Sequence, residues 1–142
     1  MRFLSRYDKS ATNIKECELF IAIGQVPWAL TYSNWYHQYP QFPRQALSAA
    51  SSLSEYTLTD RGTWLSTPKN VTSKLKVFKR GLDDDPADPL LNPGRVLLGK
   101  HAAENKVAHM FMSWVVDTGD KGGQAVVDKF MNNGEVLYSK AP

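Results

Sequence analysis

"RFLSRYDKSATNIKECELFIAIG", residues 2–24, moves from a short apolar run through a hydroxyl-rich charged loop into a segment with apolar residues at helical spacing. Residues 2–5 are predicted as a strand. Ile14, Cys17, Phe20, Ile21 and Ile23 form a rough helical stripe. Ser10, Thr12 or Asn13 could cap the helix, and Asn13 with Glu16 three residues on has the form of a capping box. Gly24 followed by Pro27 marks the stop. A strand, a polar loop and a helix in that order make a unit of a layered α/β domain. The loop between them can cap the helix, hold an anion, or do both.

The pattern recurs along the chain. Residues 25–42, "QVPWALTYSNWYHQYPQF", are aromatic and irregular, and "PRQALSAASSLSE", 43–55, is predicted as a helix with Pro43 in its first turn. "YTLT", 56–59, is a strand. "DRGTWLS", 60–66, is a turn and short helix capped by Thr59 or Asp60. "LKVF", 75–78, and "RVLLG", 95–99, are predicted as strands on either side of the proline-rich loop 83–94. In "AAENKVAHMFMSWVVD", 102–117, Val107, Phe111, Trp114 and Val115 share one helical face. Residues 119–134 are a last helical stretch with Gly134 as its stop. The expected fold class is α/β, a layered sheet flanked by helices.

The chain has 142 residues, enough for one domain with a real core. Its formal charge is +3 and its 17 Lys and Arg residues are scattered, which fits no nucleic-acid stripe and leaves room for a small anionic partner. No apolar run reaches the length of a membrane span. The start "MRFLSRYDKS" lacks the apolar stretch of a secretory leader. The single cysteine forms no intramolecular disulfide, and its place on the helical stripe fits a small buried side chain. His37, His101 and His109 lack metal-ligand spacing, and "DDDPADP" lacks the glycine and closing glutamate of a calcium loop. No catalytic constellation, metal site or cofactor is expected.

Four separated stretches carry a family resemblance. "FLSRYDKSATNIKE" resembles F-x-S-R-G-D-x-S-G-T-x-x-x-E, and "EYTLTDRGTWL" resembles Y-T-L-T-D-R-G-T-x-L. "LLNPGRVLL" resembles L-x-N-P-Y-x-V-I, and residues 111–138 resemble F-x-x-W-L-x-S-x-E-G-Q-x-x-I-x-x-F-x-x-N-G-x-x-L-F. The order and content match tungstate-type substrate-binding proteins of ABC transporters, over nearly the whole chain. This resemblance implies a single periplasmic-binding-protein-like domain over 1–142, with a second-lobe-like part at 1–85 and a returning strand and C-terminal helices at 86–142. It also implies a secreted or periplasm-like setting.

Carried over position by position, the resemblance makes Ser5, Arg6, Ser10 and Thr12 donors to a small oxyanion (tungstate, molybdate, sulfate or phosphate), with Arg61 in the same cleft or paired with Asp60 or Asp8. The helix dipole, free amides and an arginine fork suit such a ligand. Asp8 is expected to brace the loop. Tyr7 and Ala11 stand where the family pattern has glycines, so distortion of the loop or filling of the pocket is expected at Tyr7. The family's first-lobe half has no counterpart here, so completion by a homodimer or strand swapping is expected. The alternative is an interaction or glycan-binding module that kept the fold, lost the anion and uses the rings from Trp28 to Tyr39. Padding of the core is the plainer role for those rings.

Overall fold

The computed structural model describes residues 1–82 and 85–140. The chain forms two compact units. One holds Met1–Leu82 with Asp88–Asn92, and the other holds the described part of the C-terminal remainder.

The first unit is built on a parallel sheet. β1 (Phe3–Ser5) lies between β2 (Tyr36–Gln38) and β3 (Tyr56–Thr57), in the order β2-β1-β3. Register pairs Phe3 with Tyr36 and Tyr56, and Leu4 with His37 and Thr57, so each set shares a face. α1 (Ala11–Ala22) connects β1 to β2, and its Phe20 ring packs 5.3 Å from Phe3 and 5.8 Å from Tyr36. α2 (Pro43–Leu53) connects β2 to β3 and puts Ala46 and Ala50 against Leu4 on the opposite face. Leu4 is wholly buried. Burying a leucine stabilises by about 1.5–3 kcal/mol. This is the expected α/β layering, a parallel sheet flanked by helices.

The helix ends follow local chemistry. Ser10 caps α1 by accepting from Asn13 N at 3.3 Å. Gly24, at φ +73, closes its far end, where Gly24 N donates to Ile21 O and Gln25 N donates to Phe20 O. Pro43 opens α2, and Asp60 caps α3 (Arg61–Ser66) through Thr63 N. α4 (Lys69–Thr72) follows.

Several expectations need correction. The buried residues of α1 are Asn13 and Glu16; of the expected apolar stripe, Phe20 packs inward and Cys17 is partly buried, while Ile14, Ile21 and Ile23 are all more than half exposed. Asn13 and Glu16 can face inward because their polar groups find partners there, and the Asn13/Glu16 capping box does not form. Residues 75–78 are not a strand. Phe78 reaches β3 by ring contact with Tyr56 at 5.3 Å while the backbone joins no ladder. Residues 95–99 are not a strand either, and no strand lies beside them among the described residues. The aromatic stretch, expected to be irregular, contains β2. The loop expected at 83–94 includes Asp83 and Asp84, which lie outside the described residues. Within its described part, the Asp88 carboxylate accepts from Leu82 N and Leu90 N.

In the second unit, Asn105 caps α5 (Lys106–Val116), accepting from Val107 N and Ala108 N. α6 (Gly123–Lys129) turns back closely: a Cβ on Gly123 would meet Val115 Cα at 2.8 Å. Gln124 Nε2 donates to Val115 O at 2.7 Å. The helix ends at Lys129, and β4 (Met131–Asn132) pairs antiparallel with β5 (Glu135–Val136). Gly134 is therefore not a helix stop. Asn133 and Gly134 both have positive φ, as a two-residue hairpin turn of the mirror-image type requires. Among the described residues no helix is long and apolar enough to cross a membrane.

Candidate functional site

The sheet order places a switch point at its centre. From β1 the chain crosses to one side through α1, and from β2 it crosses to the other side of β1 through α2. Ligands of open α/β sheets bind outside the carboxyl ends of strands at such a point. Here that position is occupied by the loop after β1 and the turn after β3.

Ser5 ends β1 and is fully buried. Its Oγ accepts from Tyr7 N at 3.2 Å and Asn13 Nδ2 at 3.3 Å, so it braces the loop from below. Asn13 Oδ1 also accepts from Lys9 N, which ties the first turn of α1 to the loop. Tyr7 and Lys9 both take left-handed backbone, at φ 45 and 59. Tyr7 thus adopts the conformation a glycine would favour, at a cost of about 1–2 kcal/mol. Its side chain is 42% exposed and turned outward. Ala11 is the first residue of α1, with ordinary helical backbone, and nothing there requires glycine.

Arg6 is the centre of the cluster and is almost buried, with a side chain 6% exposed. Its Nε and Nη2 donate to Asp8 Oδ2 at 3.0 and 2.7 Å, and Nη2 also donates to Ser10 Oγ at 3.0 Å. Nη1 reaches Asp60 Oδ2 at 3.4 Å. Ser10 and Asp60 are the N-caps of α1 and α3, so one guanidinium bridges two helix starts. Asp60 also accepts from Thr63 N and Thr63 Oγ1, both at 2.7 Å, and Asp8 Oδ1 accepts from Ser10 N. Every oxygen of the two carboxylates therefore meets a protein donor. Burial works against ionising Asp8, but hydrogen bonds from Ser10 and Arg6 outweigh it and hold the carboxyl below its ordinary range.

The amides of Ala11 and Thr12 open α1 and have no intrahelical acceptor. Thr12 is half-buried on that turn. Arg61 opens α3 beside Asp60 and is also half-buried. The structure thus joins Arg6 to Ser10 directly, sets Ser5 beneath them, and leaves Thr12 on the adjoining turn and Arg61 beyond Asp60. Past Thr63, a pocket of about 330 Å³ between the starts of α2 and α3 is lined by Phe42, Pro43, Arg44, Gln45, Gly62, Thr63 and Ser66.

Sequence reasoning missed a buried layer below the loop. Glu16 is 3% exposed and accepts from Tyr36 Oη at 2.8 Å, with further support from the Ser5 hydroxyl. Burial pushes the Glu16 carboxyl up despite those hydrogen bonds. Burial and the neighbouring Glu16 charge push the Tyr36 phenol up as well. The available signal was the spacing Asn13–Glu16–Phe20, which continues the inward face of α1. Among the described residues no group of three or more His, Cys, Asp and Glu side chains could hold a metal ion.

The loop after β1 thus places polar groups at the switch point of the parallel sheet, and comparison with known proteins shows what the chain is similar to. The chain matches a solved periplasmic protein assigned to metal binding, with 54% identity and a TM-score of 0.89 over 99% of this chain and 67% of that one. It therefore belongs to that family of periplasmic binding proteins. It also shares the fold of the tungstate-binding protein TupA from Desulfovibrio alaskensis G20, at 24% identity and a TM-score of 0.71, covering 99% of this chain and 54% of that one. An ABC transporter anion-binding protein assigned in Haloferax volcanii is 30% identical over 137 residues, 96% of this chain. The chain spans 38% of the length of that curated relative. No protein-family model matches the chain.

Proposed function

We propose that this chain is a non-catalytic binding protein that holds a small, fully ionised oxyanion at the loop of Ser5, Arg6, Ser10 and Thr12. The carrying observation is that Arg6 joins the caps of α1 and α3 while every Asp8 and Asp60 oxygen is already engaged by a protein donor. What remains for a ligand is donors: the Ala11 and Thr12 amides, the Thr12 hydroxyl and the unused N–H of Arg6. A donor-rich site that includes an arginine suits tungstate, molybdate or sulfate. A metal held as its oxyanion would also fit the metal-binding assignment of the solved relative.

Ser5 serves as a brace under this reading, and Arg61 as a cation beside the second cap. The aromatic segment has less support as a ligand surface, because Trp28, Trp35 and Tyr36 gather around Phe20 at 5.8–6.5 Å. A second copy of the chain would have to cover the exposed face of α5, and the mass in solution decides that point.

Thermal unfolding with tungstate, molybdate, sulfate and phosphate tests the proposal. A ligand that binds only the native state stabilises by about 2.7 kcal/mol at a hundredfold excess over Kd. The expected result is a rise in Tm with at least one of the four, reduced in Arg6→Lys and Thr12→Ala. No rise with any anion in the wild-type chain would overturn it.

A further inference from the structure

The layer beneath the loop holds a titratable group that anion binding itself does not use. Glu16 lies one helical turn below Thr12, buried between α1 and β2. Tyr36 of β2 donates to it from one side, and Ser5, which also receives Tyr7 N and Asn13 Nδ2, supports it from the other. The charged and titratable groups facing it are Tyr36 from β2, Arg6 and Asp8 from the loop, and Cys17 beside it on α1. Among these Arg6 is the cation, and Arg6 is already shared between Asp8 and Asp60. An oxyanion docking on Arg6 adds negative charge of the same sign as Asp8, whose field already reaches Glu16. The buried carboxylate is then the group from which a negative charge is most readily removed.

Resting on the oxyanion reading above, we infer that Glu16 is a positioning residue that couples anion binding to uptake of one proton. The proton comes from solvent and stays on the Glu16 carboxyl, so no bond other than that O–H forms. The neutral acid keeps its place against Tyr36 and Ser5, and the brace under the loop is preserved while the repulsion is lost. The upward displacement of the Glu16 carboxyl by burial is in the direction this coupling needs.

The test is calorimetric titration of sulfate into the whole chain, in buffers of different ionisation enthalpy, between about pH 5.5 and 8, where sulfate carries no proton, with tungstate used only at the alkaline end, where it is the unprotonated monomer. Proton uptake approaching one per anion is expected, with affinity falling by up to about tenfold per pH unit where the coupling is complete. Glu16→Gln is expected to abolish both the uptake and the pH dependence, and to bind more tightly than wild type at the alkaline end. Tyr36→Phe removes a hydrogen bond that favours the carboxylate, so it should move the proton-linked window to higher pH. It serves as a second test if Glu16→Gln folds poorly. Binding without proton uptake in the wild-type chain overturns this inference and leaves the oxyanion reading standing. Absence of binding at every pH overturns both.

Discussion

The first unit covers its apolar residues and the second displays them. Around β1, Leu4, Ala46 and Ala50 are buried to 1% exposure or less. On α5, Val107 is 73% exposed, Met110 71% and Phe111 57%. Both segments show apolar residues at regular spacing in the sequence. The difference is that β1 has a strand on each side and helices on both faces, whereas the α5 face has no such cover. Periodicity reports which face of an element is apolar. It does not report what lies against it. α1 makes the point from the other direction, since its inward face carries Asn13 and Glu16 and its apolar Ile14 and Ile21 face outward.

Paired substitutions would break this contrast most sharply. Leu4→Ala is expected to destabilise by about 2–5 kcal/mol in chemical denaturation, because it opens a cavity in a packed site. Phe111→Ala is expected to change stability by no more than about 0.5 kcal/mol. A large loss at Phe111 would mean that α5 is covered in solution. Removing Arg6 should cost about 1–3 kcal/mol, since Ser10, Asp8 and Asp60 lose a shared donor. Asp60→Ala removes the cap of α3 and should cost about 1 kcal/mol, measured the same way.

Glu16 adds a pH signature to the first unit. Its carboxyl is raised above the ordinary value of 4.5 in the folded chain. The stability linked to it is therefore fully present below that value and lost as pH rises toward the folded one. Glu16→Gln should melt above wild type by a margin that opens as pH climbs past about 4.5 and vanishes below it. A small effect is expected at Tyr7. Tyr7→Gly relieves left-handed backbone and should stabilise by about 1 kcal/mol or less, while Ala11→Gly, at the first position of α1, should destabilise by less than the ~0.5–1 kcal/mol of a helix interior.

Helix boundaries were the most legible part of the fold. Ser10, Gly24, Pro43 and Asp60 act through neighbours within a few residues, so their chemistry is visible locally. β2 was hidden in an aromatic segment because it is three residues long and is defined by pairing with β1. The hairpin after α6 carried its signal in Asn133-Gly134, but the apolar residues before it continued a helical spacing. Residues 75–78 and 95–99 had strand composition, but among the described residues no strand pairs with them.

The site divided in the same way. The meeting of Arg6 and Ser10 was legible from the loop, four residues apart. The bridge from Arg6 to Asp60 spans 54 positions and exists because β1 and β3 are neighbours in the sheet. Glu16 was visible as a residue, but its burial depends on Tyr36 arriving from β2. Local motifs thus locate the donors, and the sheet determines which charges surround them.

The most direct measurement is a tungstate titration followed by amide NMR of the isotope-labelled chain. The account predicts that the largest shifts fall on the Ala11 and Thr12 amides and the Arg6 Nη1–H, saturating together. Saturable shifts confined to other residues, or no shift at these three groups at any tungstate concentration, would contradict it.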